Sequence, residues 1–261
     1  MLSSNQIKRL NSLHIKKYRQ KENEILLEGH RLIYQALMAE AKIERVWATE
    51  NYVKSKLGKV LSQLLNKKNV IMEIGSEKSI QRICDGKNSQ GIIAVLQPPK
   101  YGPLKKIPNR SLYLDDITDP GNMGTILRTT AWFGIDSIFM SAGCVDVFNS
   151  KVLRSAAGAH FYFQQLHTLS LDEMLNISKD LNLSVIGADI NGESLDDLSN
   201  NIQNGWILIL GNEAHGISPS IQSRLTHRIS IPGYGDMESL NVAVAGGILL
   251  QSLTYKKSVT N

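Results

Sequence analysis

Cysteine is scarce in this 261-residue sequence, since Cys84 and Cys144 are the only two. Two cysteines are too few for a disulfide scaffold or a four-cysteine zinc site. The apolar stretch Val242–Leu250 is too short to cross a bilayer, which needs about 20 residues. No apolar run follows the first charges of MLSSNQIKRLNS, so we expect no secretory signal. These absences exclude membrane, secreted cysteine-rich and fibrous proteins and predict a soluble, cytoplasmic protein.

Charge is unevenly distributed along the sequence. Residues 1–100 contain 18 Lys and Arg against 9 Asp and Glu, whereas residues 101–261 contain 11 against 15. The two halves therefore carry +9 and −4, within a total of +5. Such an asymmetry indicates that the first half meets a polyanion, with nucleic acid favoured over an ordinary solvated surface.

Four of the seven prolines lie between residues 98 and 108. Proline fixes φ and removes a backbone donor, so this stretch predicts an extended linker. We therefore expect a domain over residues 1–97, a linker over 98–108 and a second domain over 109–261.

Apolar periodicity predicts helices alternating with strands in both halves. Such alternation is typical of an α/β fold whose parallel sheet binds ligands beyond the carboxyl ends of its strands. The predicted strands are Ile43–Ala48, Val70–Ile74, Gly91–Leu96, Ser111–Leu114, Ser137–Met140, Ser184–Ala188, Trp206–Leu210 and Arg228–Ile231. The predicted helices are Gly29–Ala41, Met123–Phe133, Leu171–Leu181 and Leu240–Tyr255.

Three segments at predicted strand ends carry the residues suited to chemistry. The first, DDITDPGNMGTILRT (Asp115–Thr129), passes from a Pro-Gly turn into a helix, where an anion or ligand site is plausible. Asn122 and Arg128 lie six residues apart in it, although a helix cap and a surface arginine would look the same.

The second segment, LGNEAHG (Leu210–Gly216), places two glycines around a carboxylate. It lacks the pattern of a phosphate-binding P-loop and that of a dinucleotide site, and His215 has no metal-ligating neighbours at suitable spacing. The third, IPGYGDMESLNVAVAGG (Ile231–Gly247), runs from a Gly/Pro loop into a helix of small residues, with Ser239 as a possible cap.

Together the three segments resemble the motifs of the SpoU (TrmH) branch of the SPOUT RNA methyltransferases. The segment KVLRSAAGA (Lys151–Ala159) is similar to a stretch between those motifs. In the first half, LLEGHRLI (Leu26–Ile33) and NSQGIIAV (Asn88–Val95) resemble the substrate-binding domain often attached to them, which is similar to ribosomal kink-turn-binding proteins.

The resemblance implies an α/β SPOUT catalytic domain with a parallel sheet and a C-terminal trefoil knot, preceded by a smaller α/β RNA-binding domain. It implies S-adenosylmethionine as cofactor, no metal, and a homodimer whose interface includes the helix of small residues. The expected cofactor-binding residues are Leu210, Gly211, Asn212, Gly216, Ile231, Pro232, Ser239, Leu240 and Ala245.

The implied reaction is methyl transfer to a ribose 2′-hydroxyl of RNA. A 2′-hydroxyl is a poor nucleophile, so the protein must align it with the methyl donor and assist loss of its proton. The expected catalytic residues are Arg128, Asn122, Glu213, Ser239 and Asn241. Because a guanidinium is a poor proton acceptor, hydroxyl activation and phosphate binding both stay open as the role of Arg128.

Large-subunit ribosomal RNA is the favoured substrate, because the sequence has a full basic N-terminal domain. Transfer RNA, a non-catalytic ribosome-assembly role and antibiotic resistance remain alternatives. The sequence departs from the family pattern at Gly233, and at Thr130 and Trp132, where small residues are usual. The expected RNA-binding residues are Lys8, Arg9, Lys16, Lys17, Arg19, Arg31 and Arg154.

Overall fold

A computed structural model describes residues 2–86, 89–104, 107–177, 181–194, 202 and 204–255 of the chain. Asn88 and residues 178–180, which the sequence analysis includes in a motif and a helix, lie outside these residues, as do positions 105 and 106 of the predicted linker. The chain forms two compact units, one of Met1–Lys100 with Asp146–Tyr162 and one of Tyr101–Val145 with Phe163–Asn261.

The first unit contains a four-stranded mixed sheet of order β1-β4-β2-β3, with β3 parallel to β2 and the other pairs antiparallel. The inner strand β4 is buried on both faces, because its alternate residues point to opposite sides of the sheet. Ile92, Ala94 and Leu96 pack into one core, and Ile93 and Val95 pack into another. Its elements are α1 (Ser4–Ser12), α2 (Lys16–Glu22), β1 (Ile25–Glu28), α3 (His30–Met38), β2 (Ile43–Ala48), α4 (Glu50–Lys54), α5 (Lys56–Lys67), β3 (Ile71–Ile74), α6 (Glu77–Ile83), β4 (Ile92–Leu96) and α8 (Ser150–Ala156).

Residues 146–162 belong to the first unit although the sequence analysis assigns them to the second domain. The reason is hydrophobic packing, since Leu153 is part of a core cluster of the first unit and Phe148 and Phe161 pack against that cluster. Buried polar contacts add to this packing, because Arg19 forms an ion pair with Asp146 and donates to the Leu13 carbonyl at 2.7 Å. The predicted boundary at residue 109 therefore does not describe this segment.

The second unit contains a six-stranded parallel sheet of order β10-β8-β9-β5-β6-β7. The predicted α/β fold with a parallel sheet is confirmed, while the knot stays a prediction. Alternate residues Tyr113, Ile207 and Ile209 pack with α9 and α10 on one face. Its elements are β5 (Arg110–Leu114), α7 (Pro120–Trp132), β6 (Ser137–Met140), β7 (Gln165–Thr168), α9 (Leu171–Ile177), β8 (Ser184–Ser194), β9 (Trp206–Leu210), α10 (Pro219–Gln222), β10 (His227–Ser230) and α11 (Val242–Tyr255).

Helix α11 packs beside α7 and the end of β9. Close approach requires glycine here, since a Cβ at Gly246 would lie 2.6 Å from a methyl group of Leu210. Across the described residues, no helix has both the length and the apolar character to cross a membrane.

Candidate active site

Asn122 connects the three predicted motifs through its side chain. Its Nδ2 donates to Oε1 of Glu213 at 2.9 Å, and its Oδ1 accepts from Nδ2 of Asn241, also at 2.9 Å. One amide therefore contacts the loop after β9 and the start of α11. Three of the five predicted catalytic residues are adjacent in the structure.

Local sequence fixes the position of Asn122 at the start of α7. Asp119 caps this helix by accepting from the backbone N–H of Asn122 at 2.8 Å, and Pro120 occupies a first-turn position that suits proline. Asp119 is not among the predicted site residues, although an aspartate followed by proline is a recognisable helix start. Asp119 thus orients the backbone that presents the Asn122 amide.

The loop after β9 is held in a tight turn that places Glu213 at its exposed tip. Asn212 and Gly216 exchange two backbone hydrogen bonds of 2.9 Å, and Gly216 adopts a φ of +68° that favours glycine. The Asn212 side chain accepts from the N–H groups of Ala214 and His215 and donates to the Asp116 carbonyl at 2.8 Å. These contacts fix the turn to the end of β5.

Asn241 begins α11 and uses both ends of its amide. Its Oδ1 accepts from the backbone N–H groups of Ala243 at 2.9 Å and Val244 at 3.3 Å, which otherwise lack helical partners. Because Oδ1 is directed to the helix, Nδ2 points to Asn122. The cap and the site contact therefore depend on the same side chain.

The other two predicted catalytic residues stand apart from this contact. Arg128 is exposed on α7 and Ser239 is exposed in the loop before α11. Neither side chain forms a hydrogen bond or ion pair with the residues that the structure describes. Arg128 is thus free to meet an external anion.

The predicted cofactor-binding residues cluster in sequence around the end of β9 and the loop 231–241. Gly211 needs its missing side chain, since a Cβ would lie 2.3 Å from the backbone carbon of Gly216. No backbone group of residues 232–240 forms a hydrogen bond within the described chain. The structure buries Leu210 and Gly211, half-buries Asn212, Ile231 and Ala245, and exposes Gly216, Pro232, Ser239 and Leu240.

The predicted RNA-binding residues of the first unit divide into two groups. Arg19 is only 6% exposed and pairs with Asp146, so the charge of its guanidinium is neutralised inside the unit. Arg9 pairs with Glu24, and Arg154 lies 3.2 Å from Asp85. The residues that are exposed and form no ion pair within the described chain are Lys8, Lys16, Lys17 and Arg31.

Comparison with known proteins decides the family. Residues 109–251 match the SpoU rRNA Methylase family, and residues 4–94 match the MRM3-like substrate binding domain. The chain belongs to the SpoU rRNA Methylase family. It is an RNA methyltransferase of that family, and the resemblance found in the sequence is confirmed.

Relatives of this SpoU methylase align along its whole length. The 23S rRNA (guanosine(2553)-2′-O)-methyltransferase RlmP of Bacillus subtilis is 30% identical, and the alignment covers 95% of each chain. A TrmH-family protein of Porphyromonas gingivalis has a TM-score of 0.81 at 32% identity, over 98% of this chain and 99% of that one. An AdoMet-bound rRNA methyltransferase of Sinorhizobium meliloti has a TM-score of 0.83 at 23% identity, over 100% and 97%.

Proposed function

We propose that this SpoU methylase transfers the methyl group of S-adenosylmethionine to a ribose 2′-hydroxyl of large-subunit, 23S-type ribosomal RNA. The observation that carries the proposal is the Asn122 amide, which unites Glu213 and Asn241, together with an exposed, unpaired Arg128 on the same helix as Asn122. The alignment with RlmP over nearly the full length supports both the reaction and the substrate class.

The loop and strand end fit S-adenosylmethionine. Apolar side chains of Ile231 and Leu240 can contact an adenine ring, and the unpaired backbone groups of residues 232–240 can meet its polar edge. A Cβ added at Gly233 would meet no atom within 4 Å, so this loop has space around its backbone. Leu210, Gly211, Asn212, Gly216, Pro232, Ser239 and Ala245 complete the proposed set.

When bound, S-adenosylmethionine supplies an activated methyl group, so the remaining demand on the protein is alignment and proton removal. Asn122 holds Glu213 and Asn241 in one arrangement, and we assign these residues, with Ser239, to orienting the ribose. The Arg128 guanidinium donates hydrogen bonds and has no acceptor atom. It therefore binds a substrate phosphate and polarises the hydroxyl, and the proton that the hydroxyl loses on methylation passes to solvent water at this exposed site.

The first unit supplies RNA affinity in this proposal. Lys8, Lys16, Lys17 and Arg31 are exposed cations that can contact phosphates. Such contacts weaken at higher salt, because the counterions that binding releases then gain less entropy. Arg19 is left out because its charge is buried against Asp146. We therefore expect RNA affinity to fall steeply as the salt concentration rises through the physiological range.

A homodimer completes the proposal. Val244, Ile248 and Tyr255 lie on one exposed face of α11, a helix whose described sequence contains no charged residue. An exposed apolar stripe of this kind is suited to a second copy of the chain. Light scattering of the purified protein should give twice the chain mass.

The deciding experiment supplies methyl-labelled S-adenosylmethionine and total RNA from a strain lacking this gene. Label recovered as a 2′-O-methyl nucleoside in large ribosomal RNA would support the proposal. Label in transfer RNA would keep the reaction and overturn the substrate. If the protein binds the cofactor but labels neither free ribosomal RNA nor free transfer RNA, the same assay should be repeated on precursor ribosomal particles. Failure to label those particles would favour a non-catalytic RNA-binding role.

A further inference from the structure

Trp132 is an exposed aromatic residue on the same helix face as Arg128. Gly121, Thr125, Arg128 and Trp132 follow the spacing i, i+4, i+7 and i+11, which places them along one side of α7. Trp132 is 85% exposed. Arg128 and Trp132 are one turn apart, with about 6 Å between their side-chain origins.

This exposure is specific to Trp132 among the tryptophans of the chain. The sequence has three tryptophans, and the other two, Trp47 and Trp206, are 3% and 0% exposed. A tryptophan on a surface exposes a large apolar area to water, so a partner that covers it gains binding energy.

The charges around Trp132 favour an anionic partner with flat apolar groups. Helix α7 contains no acidic residue, and the neighbouring α11 contains no charged residue. Thr129 of α7 faces Gly247 of α11, where an added Cβ would lie 3.6 Å from the threonine methyl group. Arg128 is therefore the one charged side chain of these two helices, and it lies one turn from the aromatic ring.

We propose that Trp132 is a stacking platform for a nucleobase of the RNA substrate, beside the nucleotide whose phosphate contacts Arg128. The inference rests on the proposed function and extends it to substrate choice. Aromatic side chains bind unstacked bases, whereas bases within a duplex are already stacked on one another. The target nucleotide should therefore have an unpaired neighbour, in a loop or bulge rather than a continuous helix.

Steady-state kinetics on the labelled RNA test the platform. Trp132→Ala should raise the KM for RNA about 5- to 150-fold, the range expected for loss of one base stack, with kcat within about threefold of wild type. Trp132→Phe keeps an aromatic face and should recover most of that loss. The KM for S-adenosylmethionine should not change in either variant.

Ile190→Ala is the matched control, because Ile190 is a 73% exposed apolar residue of the same unit that lies on β8, away from α7. It should leave both KM values unchanged. A wild-type KM for RNA in Trp132→Ala would overturn the platform, while leaving the methyltransferase proposal intact.

Tryptophan fluorescence gives a second test that does not require catalysis. Because the other two tryptophans are buried, quenching by an added solute reports chiefly on Trp132. Single-stranded oligoadenylate should quench the emission of the full-length protein to saturation, and a paired RNA duplex of equal length should quench it much less. Trp132→Phe should abolish the response.

Two results of this titration would overturn the platform. One is the absence of quenching by single-stranded RNA at concentrations where binding is detected by another method. The other is emission that shifts with protein concentration but not with RNA, which would assign Trp132 to contact with a second copy of the chain. An enzyme that methylates no RNA would instead contradict the proposed function, and the titration would still decide the role of Trp132.

Discussion

The side-chain nitrogen of Asn241 lies 2.9 Å from Oδ1 of Asn122, although 119 positions separate the two residues in sequence. No local sequence pattern brings the two residues together. The contact forms because α7 and α11 fold side by side. The amide pair therefore reports whether the site is assembled, and its loss should affect catalysis before it affects folding.

Asn241→Asp separates the two roles of this side chain. A carboxylate oxygen can still accept from the N–H groups of Ala243 and Val244, but it cannot donate to Asn122. We expect kcat to fall by about 10- to 100-fold, as misplaced reacting groups do, with little change in melting temperature. Asn241→Ala removes the cap as well and should also lose about 1 kcal/mol of stability. Equal melting losses in both variants would contradict the separation.

Arg128→Ala should abolish methyl transfer without unfolding the protein. The exposed guanidinium has no partner within the described chain, so its removal leaves no buried group unpaired. Loss of one charge-stabilising donor typically lowers kcat by about 100- to 1,000-fold. Isothermal titration should show unchanged S-adenosylmethionine binding, and Arg128→Lys, which keeps the charge but not the forked donors, should be intermediate. Wild-type rates in Arg128→Ala would remove this residue from the mechanism.

Asp146→Asn should destabilise the first unit strongly. Arg19 is nearly inaccessible, and Asp146 supplies the negative charge that neutralises it. Breaking a buried ion pair from one side typically lowers the free energy of unfolding by about 3–5 kcal/mol. Urea unfolding measures the loss, and the double variant Arg19→Met with Asp146→Leu should recover much of it. If the double variant has a lower free energy of unfolding than Asp146→Asn, the ion pair itself stabilises the fold.

Acidification should destabilise the protein through His160. Complete burial lowers the pKa of this imidazole to about 4, while its Nε2 donates to the Val147 carbonyl at 2.7 Å. The unfolded chain, with a histidine pKa of about 6.5, binds the proton first. Stability is therefore lost as pH falls from about 6.5 to 4, by about 3 kcal/mol, and this contribution is constant below that window.

His160→Gln keeps an N–H donor and removes the titration. Unfolding free energies measured between neutral and acidic pH should diverge between wild type and variant only across that window. Parallel curves would show that His160 does not set the acid sensitivity. Other histidines of the chain are common to both proteins, so their effects cancel in the difference.

Short stretches rich in apolar residues made several elements predictable. The strands Ile43–Ala48, Ser137–Met140 and Trp206–Leu210 occur with the predicted bounds. Strand β7 (Gln165–Thr168) was missed because its sequence QLHT is mostly polar. Helix α2 was missed because most of its residues are charged, so it has no apolar periodicity to detect.

The sequence indicates candidate site residues one by one but does not give their geometry. Motif positions indicated Asn122, Glu213 and Asn241, yet only the fold shows that one amide joins the other two. Charge alone misdirected the prediction for Arg19, because composition cannot show that a distant Asp146 neutralises it. Long-range partners of this kind are absent from any local sequence pattern.

The placement of residues 146–162 has a consequence for dissecting this protein. The chain passes between the two units at three peptide junctions, next to residues 100, 145 and 162. A fragment that starts after the proline-rich stretch would still carry Leu153 and Phe161, but without the core that buries them. Such a fragment should aggregate through that orphaned apolar segment. To separate the second unit from the first, residues 146–162 must therefore also be removed and the chain rejoined across the gap. A single truncation would not achieve this.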